Sequence, residues 1–140
     1  MRIVISRAMG TTAESLWYPY LAKVNPDAEV VVPELPQNPE IGTWLPPVTA
    51  AAGEGRPGET VLVGHSLGGP NLLRLLESHE GEPFAGVVLV ASMSEPIGYE
   101  ALEPFFAGGF DWARIKKAAR RFEVLTAADD PVLARTRSCT

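Results

Sequence analysis

At 140 residues the chain has the length of one domain, enough to bury roughly two-thirds of its unfolded surface. Its 46% apolar and 21% charged residues are ordinary for a globular protein. A net charge of −5, with acids and bases interspersed, excludes the clustered basic face of an electrostatic nucleic-acid binder.

Short apolar, β-branched runs alternate with helical patterns, and no repeat or low-complexity block interrupts them. Arg2–Ser6 reads as a buried strand. Leu16, Trp17, Tyr20, Leu21 and Val24 recur at helical spacing, which predicts a helix over Glu14–Val24. Pro19 falls in or near its first turn, where a missing N–H costs little. Glu29–Val32 is a second strand stopped by Pro33, and Glu34–Pro39 is a proline-punctuated loop. Glu40–Ala52 is a helix started or interrupted by Pro46-Pro47, and Gly53–Gly58 is a turn. Glu59–Val63 is a third strand, and Pro70–His79 a helix carrying Leu72, Leu73, Leu75 and Leu76. Pro83–Ala91 is a fourth strand, followed by an irregular loop, Ser92–Gly109, with a short helix near Tyr99–Phe106. Phe110–Ala119 is a helix, N-capped near Gly109 or Asp111. The basic stretch Arg114 to Arg121 is the solvated face of that helix. Arg121–Thr126 is a fifth strand.

Continuous apolar strands alternating with helices imply a parallel sheet covered on both faces. The fold class expected is α/β: a doubly wound, mostly parallel open sheet of about five strands, with helices on both faces, in a single domain over 1–140. In such sheets chemistry gathers at the carboxyl ends of the strands, here the loops after Ser6, Val63, Ala91 and Thr126.

One motif sits in such a loop. Gly64-His65-Ser66-Leu67-Gly68-Gly69 follows the strand Thr60-Val61-Leu62-Val63 and opens a helix. Gly-x-Ser-x-Gly is weak alone, but strand–turn–helix is the context that a nucleophile elbow requires. The sharp turn forces the serine into a strained backbone conformation with its hydroxyl pointing up from the turn. Gly64 and Gly68 leave room for the strand and helix backbones to approach. Ser66 is the expected nucleophile. The plainer alternative is a glycine-rich turn that binds an anion or nothing. A P-loop or dinucleotide site is excluded, since no lysine follows Gly68-Gly69 and no Gly-x-Gly-x-x-Gly follows the first strand. The motifs call for no cofactor and no metal.

A serine hydroxyl needs a base, and the base needs an orienting acid, in the chain order Ser, Asp or Glu, His for this fold. The fifth strand closes in Thr126-Ala127-Ala128-Asp129-Asp130-Pro131. Asp130 is the expected acid and Asp129 the alternate, although Asp-Asp-Pro is also good turn chemistry. The chain's two histidines both precede it. His65 adjoins the nucleophile, and its side chain must point away from Ser66 at so sharp a turn. His79 ends the next helix, where an imidazole suits the helix dipole. Neither is expected to serve as base, so no triad histidine is assigned.

With these residues in place, the chain resembles the retinoblastoma-binding-protein-9/YdeN-type serine hydrolases, small α/β-hydrolases with little or no lid. The likeness runs through Ser15-Leu16-Trp17-Tyr18-Pro19-Tyr20-Leu21, Leu35-Pro36 with Trp44, the elbow, and Val87-Val88-Leu89-Val90-Ala91. It ends in Phe110-Asp111-Trp112-Ala113-Arg114-Ile115-Lys116 and Asp129-Asp130-Pro131. The resemblance implies hydrolysis of carboxylic esters or related acyl substrates, with Asp130 at the acid position. It also implies an oxyanion hole built from backbone N–H groups, one from Leu67 and one from Ala8 or Met9. The family usually places His-Gly or Pro-Gly in the loop after strand one, where this chain has Arg7-Ala8-Met9-Gly10. Losing one such donor costs about 2.7–4 kcal/mol of transition-state stabilisation. Related sequences continue past Asp-Asp-Pro with a helix, a strand and a Gly-His turn. This chain instead runs Val132-Leu133-Ala134-Arg135-Thr136-Arg137-Ser138-Cys139-Thr140. The resemblance therefore implies that the last strand, the last helix and the base lie outside these residues, and that 127–140 is an irregular tail.

The expected function is a serine hydrolase, impaired without its histidine, acting on a small acyl or ester substrate. The alternative is a non-catalytic binding module for a small molecule or protein, with a pocket lined by aromatics such as Trp17, Phe105, Phe106 or Trp112. The fifth strand offers a sheet edge through which a homo-oligomer could assemble. Cys139 alone allows no intrachain disulfide, and Met1-Arg2 leads straight into an apolar strand too short for a signal peptide. The longest apolar run, about Ala85 to Ala91, is less than half a membrane span. A cytoplasmic protein with neither membrane nor nucleic-acid partner is expected.

Overall fold

In the computed structural model, residues 1–91 and 104–125 are described. Their strands are β1 (Arg2–Ser6), β2 (Glu29–Val31), β3 (Thr60–His65), β4 (Gly86–Val90) and β5 (Phe122–Leu125). Their helices are α1 (Tyr18–Val24), α2 (Ile41–Ala52), α3 (Gly68–Glu77) and α4 (Trp112–Lys117). The strands form one wholly parallel sheet in the order β2-β1-β3-β4-β5. The chain runs outward from β1 to β2, then crosses back over β1 to start β3. The winding direction therefore reverses between β1 and β3, and in an open parallel sheet that reversal opens a crevice beyond the carboxyl ends of the two strands.

The strands alternate between two unequal faces. Val4, Leu62, Val87, Leu89 and Val124 point to the face covered by α2, α3 and α4, where Trp44, Val48, Leu72, Leu76, Phe105 and Ile115 complete the larger core. Ile3, Ile5, Val61, Val63, Val88 and Val90 point to the other face, where Tyr18, Trp17 and Leu21 pack on them from α1. Both faces carry helix, as continuous apolar strands demand. Among the described residues the division is three helices against one.

α3 and α4 differ from their predicted bounds by two residues at each end, and α1 and α2 differ in ways that have a physical cause. α1 begins at Tyr18 rather than Glu14, because residues 12–15 close a turn on themselves and Leu16 takes a left-handed φ of 54° that no helix accommodates. Pro19 then occupies the first turn as anticipated. α2 runs unbroken through Pro46 and Pro47. Interior prolines each remove a helix hydrogen bond. The helix survives because Trp44, Val48, Ala51 and Ala52 are buried on the sheet and the Trp44 Nε1–H is held by the Pro36 carbonyl at 2.9 Å. α4 is capped by Asp111, whose carboxylate accepts from the Arg114 N–H at 3.2 Å. Of the helix predicted near Tyr99–Phe106, residues 104–106 form a short 3-10 turn, and the remainder lies outside the described residues. No helix among the described residues is long and apolar enough to cross a membrane.

Candidate active site

The elbow is a steric joint. Ser66 has a φ of 52°, in the left-handed region that costs a non-glycine residue of order 1–3 kcal/mol. Its N–H donates to the Val90 carbonyl at 3.0 Å and its carbonyl accepts from Gly69 at 2.9 Å, so the strained residue is tied both to the sheet and to α3. A Cβ on Gly68 would lie 1.8 Å from the Ser6 carbonyl oxygen, and one on Gly64 would lie 2.8 Å from the Gly69 Cα. Side chains at 64 and 68 would thus drive β3, α3 and the end of β1 apart. Their absence sets the start of α3 against the last residue of β1, on the rim of the crevice. Among the described residues the other two non-glycine residues with positive φ are Leu16, in the loop after β1, and Ala91, just past β4. Backbone strain among the described residues collects on the carboxyl edge of the sheet.

The loop after β1 forms the facing wall, and a buried cation shapes it. Arg7 is 4% exposed, donates to the Thr11 and Leu35 carbonyls, and lies over the Trp44 ring at 6.0 Å. A polar crevice of about 160 Å³ opens beside it, between the loops that follow β1 and β2. Below, Asn71 of α3 donates to the Trp44 carbonyl at 3.0 Å and to Ser6 Oγ at 3.3 Å, pinning α2, α3 and β1 together. Its Oδ1 is buried without a hydrogen-bond partner among the described residues.

The predicted oxyanion donors separate. The Leu67 N–H, directly after Ser66 on a buried residue, donates to nothing among the described residues. The Ala8 N–H does not share that freedom: it donates to Tyr18 Oη at 2.9 Å. Ala8 is therefore corrected as the expected donor, because a hydroxyl already occupies its proton. The next N–H, that of Met9, donates to nothing among the described residues, and Met9 is half exposed.

Tyr18 also settles the role of His65. Its hydroxyl oxygen accepts from Ala8, so its own proton is available to His65 Nδ1, 2.8 Å away. The His65 ring stacks against Trp17 at 5.2 Å, and burial pushes its pKa below the ordinary value of 6.5, which favours the neutral form that accepts from Tyr18. The ring is turned onto the α1 face, away from the elbow, as its place beside the turn requires. His79 lies at the far end of α3, about 15 Å along the helix. It packs on Phe84, and its Nε2 meets the Glu82 carbonyl at 2.7 Å. Asp129, Asp130 and Cys139 fall outside the described residues.

The family model for serine hydrolases matches residues 3–139. This chain belongs to the serine hydrolase family. YdeN of Bacillus subtilis (strain 168), named as a hydrolase, is 25% identical over 138 residues, which span 94% of this serine hydrolase and 72% of YdeN. The crystal structure of the ydeN gene product superposes with a TM-score of 0.85 at 25% identity, over 93% of this chain and 73% of that one.

The aromatic residues of this serine hydrolase do not make the shared pocket that the sequence suggested. Phe105 and Phe106 are core residues, with Phe105 edge-on to Trp44 at 6.0 Å. Trp112 lines a separate apolar cavity of about 310 Å³ between α3, α4, β4 and β5. Trp17 lies on the opposite face of the sheet from all three. Sequence reasoning missed Tyr18 and Arg7 as shapers of the site. The one available signal was Arg7 itself, a charged residue directly after five residues of buried strand.

Proposed function

We propose that this serine hydrolase cleaves carboxylic esters or related acyl compounds through Ser66, and that these 140 residues alone turn over slowly. Ser66 Oγ attacks the acyl carbon as its proton passes to water, the oxyanion that forms accepts from the Leu67 and Met9 N–H groups, and its collapse breaks the ester C–O bond, releasing the alcohol and leaving an acyl-serine that water hydrolyses. Asp130 is the acid position, with Asp129 the alternate. The reading rests on the elbow: a strained serine at the start of α3, which sits against the end of β1, followed by a buried N–H that donates to nothing among the described residues. Its slow turnover rests on the histidines, since His65 faces Tyr18 and His79 stands at the other end of α3. Losing the histidine of a serine triad costs on the order of 10⁶ in turnover, while an oxyanion hole and substrate binding alone retain about 10³–10⁴ over water.

A fluorophosphonate probe and a set of p-nitrophenyl esters test this together. Slow labelling that disappears in Ser66→Ala, with ester hydrolysis weakly above background, is the expected result. Labelling at the rate of a complete triad would overturn the slow half of the proposal. Labelling or hydrolysis unaffected by Ser66→Ala would overturn Ser66 as the nucleophile, and tight ligand binding unaffected by Ser66→Ala, with no turnover, would favour a binding module.

A further inference from the structure

Residues 8–11 turn sharply past the end of β1. The Ala8 carbonyl accepts from the Thr11 N–H at 3.3 Å, and Gly10 takes a φ of 79°. A bond from residue i to i+3 with a left-handed glycine at i+2 marks a type II turn. A second donor reaches the same carbonyl: the Thr11 hydroxyl, at the shorter distance of 2.6 Å. Both ends of the turn are anchored. The Ala8 N–H donates to Tyr18 Oη at 2.9 Å, and the Thr11 carbonyl accepts from the buried Arg7 guanidinium.

What this double grip fixes is a direction. No peptide bond among the described residues is cis. A trans peptide is flat, with its carbonyl and N–H pointing opposite ways. The Ala8 carbonyl and the Met9 N–H belong to one such plane. Two donors on Thr11 hold the carbonyl into the turn, so the Met9 N–H points out of it. The sheet register brings this loop level with the elbow. Ser6 pairs with Gly64, and Met9 and Leu67 are each the third residue past that pair.

We propose that Thr11 is a positioning residue of the oxyanion hole. Its hydroxyl clasps the Ala8 carbonyl, so that the Met9 N–H at the other end of that peptide stays aimed at the acyl oxygen. An oxyanion donor works by being fixed before charge develops. With the hydroxyl gone, one bond of 3.3 Å is left to hold the plane, and the donor is present but loosely aimed. Thr11 has this role only if Met9 and Leu67 receive the oxyanion, so it rests on the hydrolytic reading of Ser66.

Labelling kinetics of the full chain with a fluorophosphonate test this. The phosphoryl oxygen takes up charge as Ser66 Oγ adds to phosphorus and fluoride leaves, the serine proton passing to water. Thr11→Val keeps the branched shape and removes the hydroxyl. Removing a whole oxyanion donor costs about 10²–10³ in rate, so a donor left loosely aimed should lose about tenfold or more in kinact, with KI unchanged. Thr11→Ser keeps the hydroxyl and restores most of the rate. Met9→Pro deletes the N–H itself, at a turn position that proline favours, and lowers kinact by about a hundredfold. Added to Met9→Pro, Thr11→Val costs nothing further, since both act through one donor. A general loosening of the fold would not give that result. Circular dichroism confirms that each variant folds, and Thr11→Ala replaces Thr11→Val if the valine does not fit. A Thr11→Val rate equal to the parent's, with labelling lost in Ser66→Ala and lowered in Met9→Pro, would overturn the role of Thr11 and leave the hydrolytic reading standing. So would equal losses in Thr11→Val and Thr11→Ser, a change in KI alone, or full additivity with Met9→Pro. Labelling indifferent to Ser66→Ala or to Met9→Pro would instead overturn the reading beneath it, and the role of Thr11 with it.

Discussion

Tyr18→Phe removes one oxygen from a ring that stays in place, so its cost isolates the hydrogen bonds of the hydroxyl, of which those to Ala8 and His65 are short and that to Thr11 Oγ1 is long at 3.5 Å. Tyr18 is 1% exposed, and its oxygen serves the Ala8 N–H at 2.9 Å and His65 Nδ1 at 2.8 Å. In the variant the Ala8 N–H is stranded on a buried residue, and a stranded buried donor costs about 1–3 kcal/mol. His65 is only half-buried, so water can replace the lost partner there and the loss falls to about 0.5–1 kcal/mol. The sum is about 1.5–4 kcal/mol. For a chain of this length that lowers the melting midpoint by roughly 5–15 °C. Urea denaturation followed by circular dichroism and by tryptophan fluorescence measures it. Tyr20→Phe is the control: that ring is 64% exposed, and the substitution should stay within about 0.5 kcal/mol. A Tyr18→Phe variant within about 0.5 kcal/mol of the parent would refute the hydroxyl as the tie between the β1 loop and the elbow.

Gly68→Ala places a carbon 1.8 Å from the Ser6 carbonyl, a backbone atom that cannot swing aside, so the cost should exceed the 1–3 kcal/mol or so of ordinary overpacking. Loss of soluble, cooperatively unfolding protein is the expected outcome, and a variant with the parent's urea midpoint would show the contact to be wrong. His65 gives a pH dependence. Its folded pKa lies below the unfolded value of 6.5, so below that value the unfolded chain binds the extra proton. Its contribution is full above pH 6.5, shrinks as the pH falls beneath it, and levels off once the folded imidazole is protonated as well. Urea midpoints measured from pH 8 to 5 should therefore fall more steeply for the parent than for His65→Gln, and equal slopes would remove His65 as the cause.

The elbow was legible because everything that defines it is local. A glycine two residues either side of a serine, between an apolar strand and a helix, is a steric statement that needs no tertiary context. The parallel, doubly wound sheet of about five strands followed from apolar strands alternating with helices. Pro46 and Pro47 were read as starting or interrupting the helix because local propensity favours either, and burial of Trp44 and Val48 overrides it. Ala8 or Met9 was given as a donor because the family resemblance implied it. Only the seating of α1 reveals that the Tyr18 hydroxyl takes the Ala8 proton first. Aromatic residues at 17, 105, 106 and 112 looked like one pocket because composition does not say which side of a sheet a residue occupies.

The joint at Gly64 and Gly68 bears on what selection can and cannot see. Their missing side chains are demanded by backbone contacts between β1, β3 and α3, and those contacts exist whether or not any ester is cleaved. A library randomised across the elbow and screened only for soluble protein should return glycine at 64 and 68. At 66 the same screen should drift toward glycine or asparagine, residues at ease with positive φ. Of the motif's letters, the serine alone carries information about chemistry, and the flanking glycines report the shape of the scaffold.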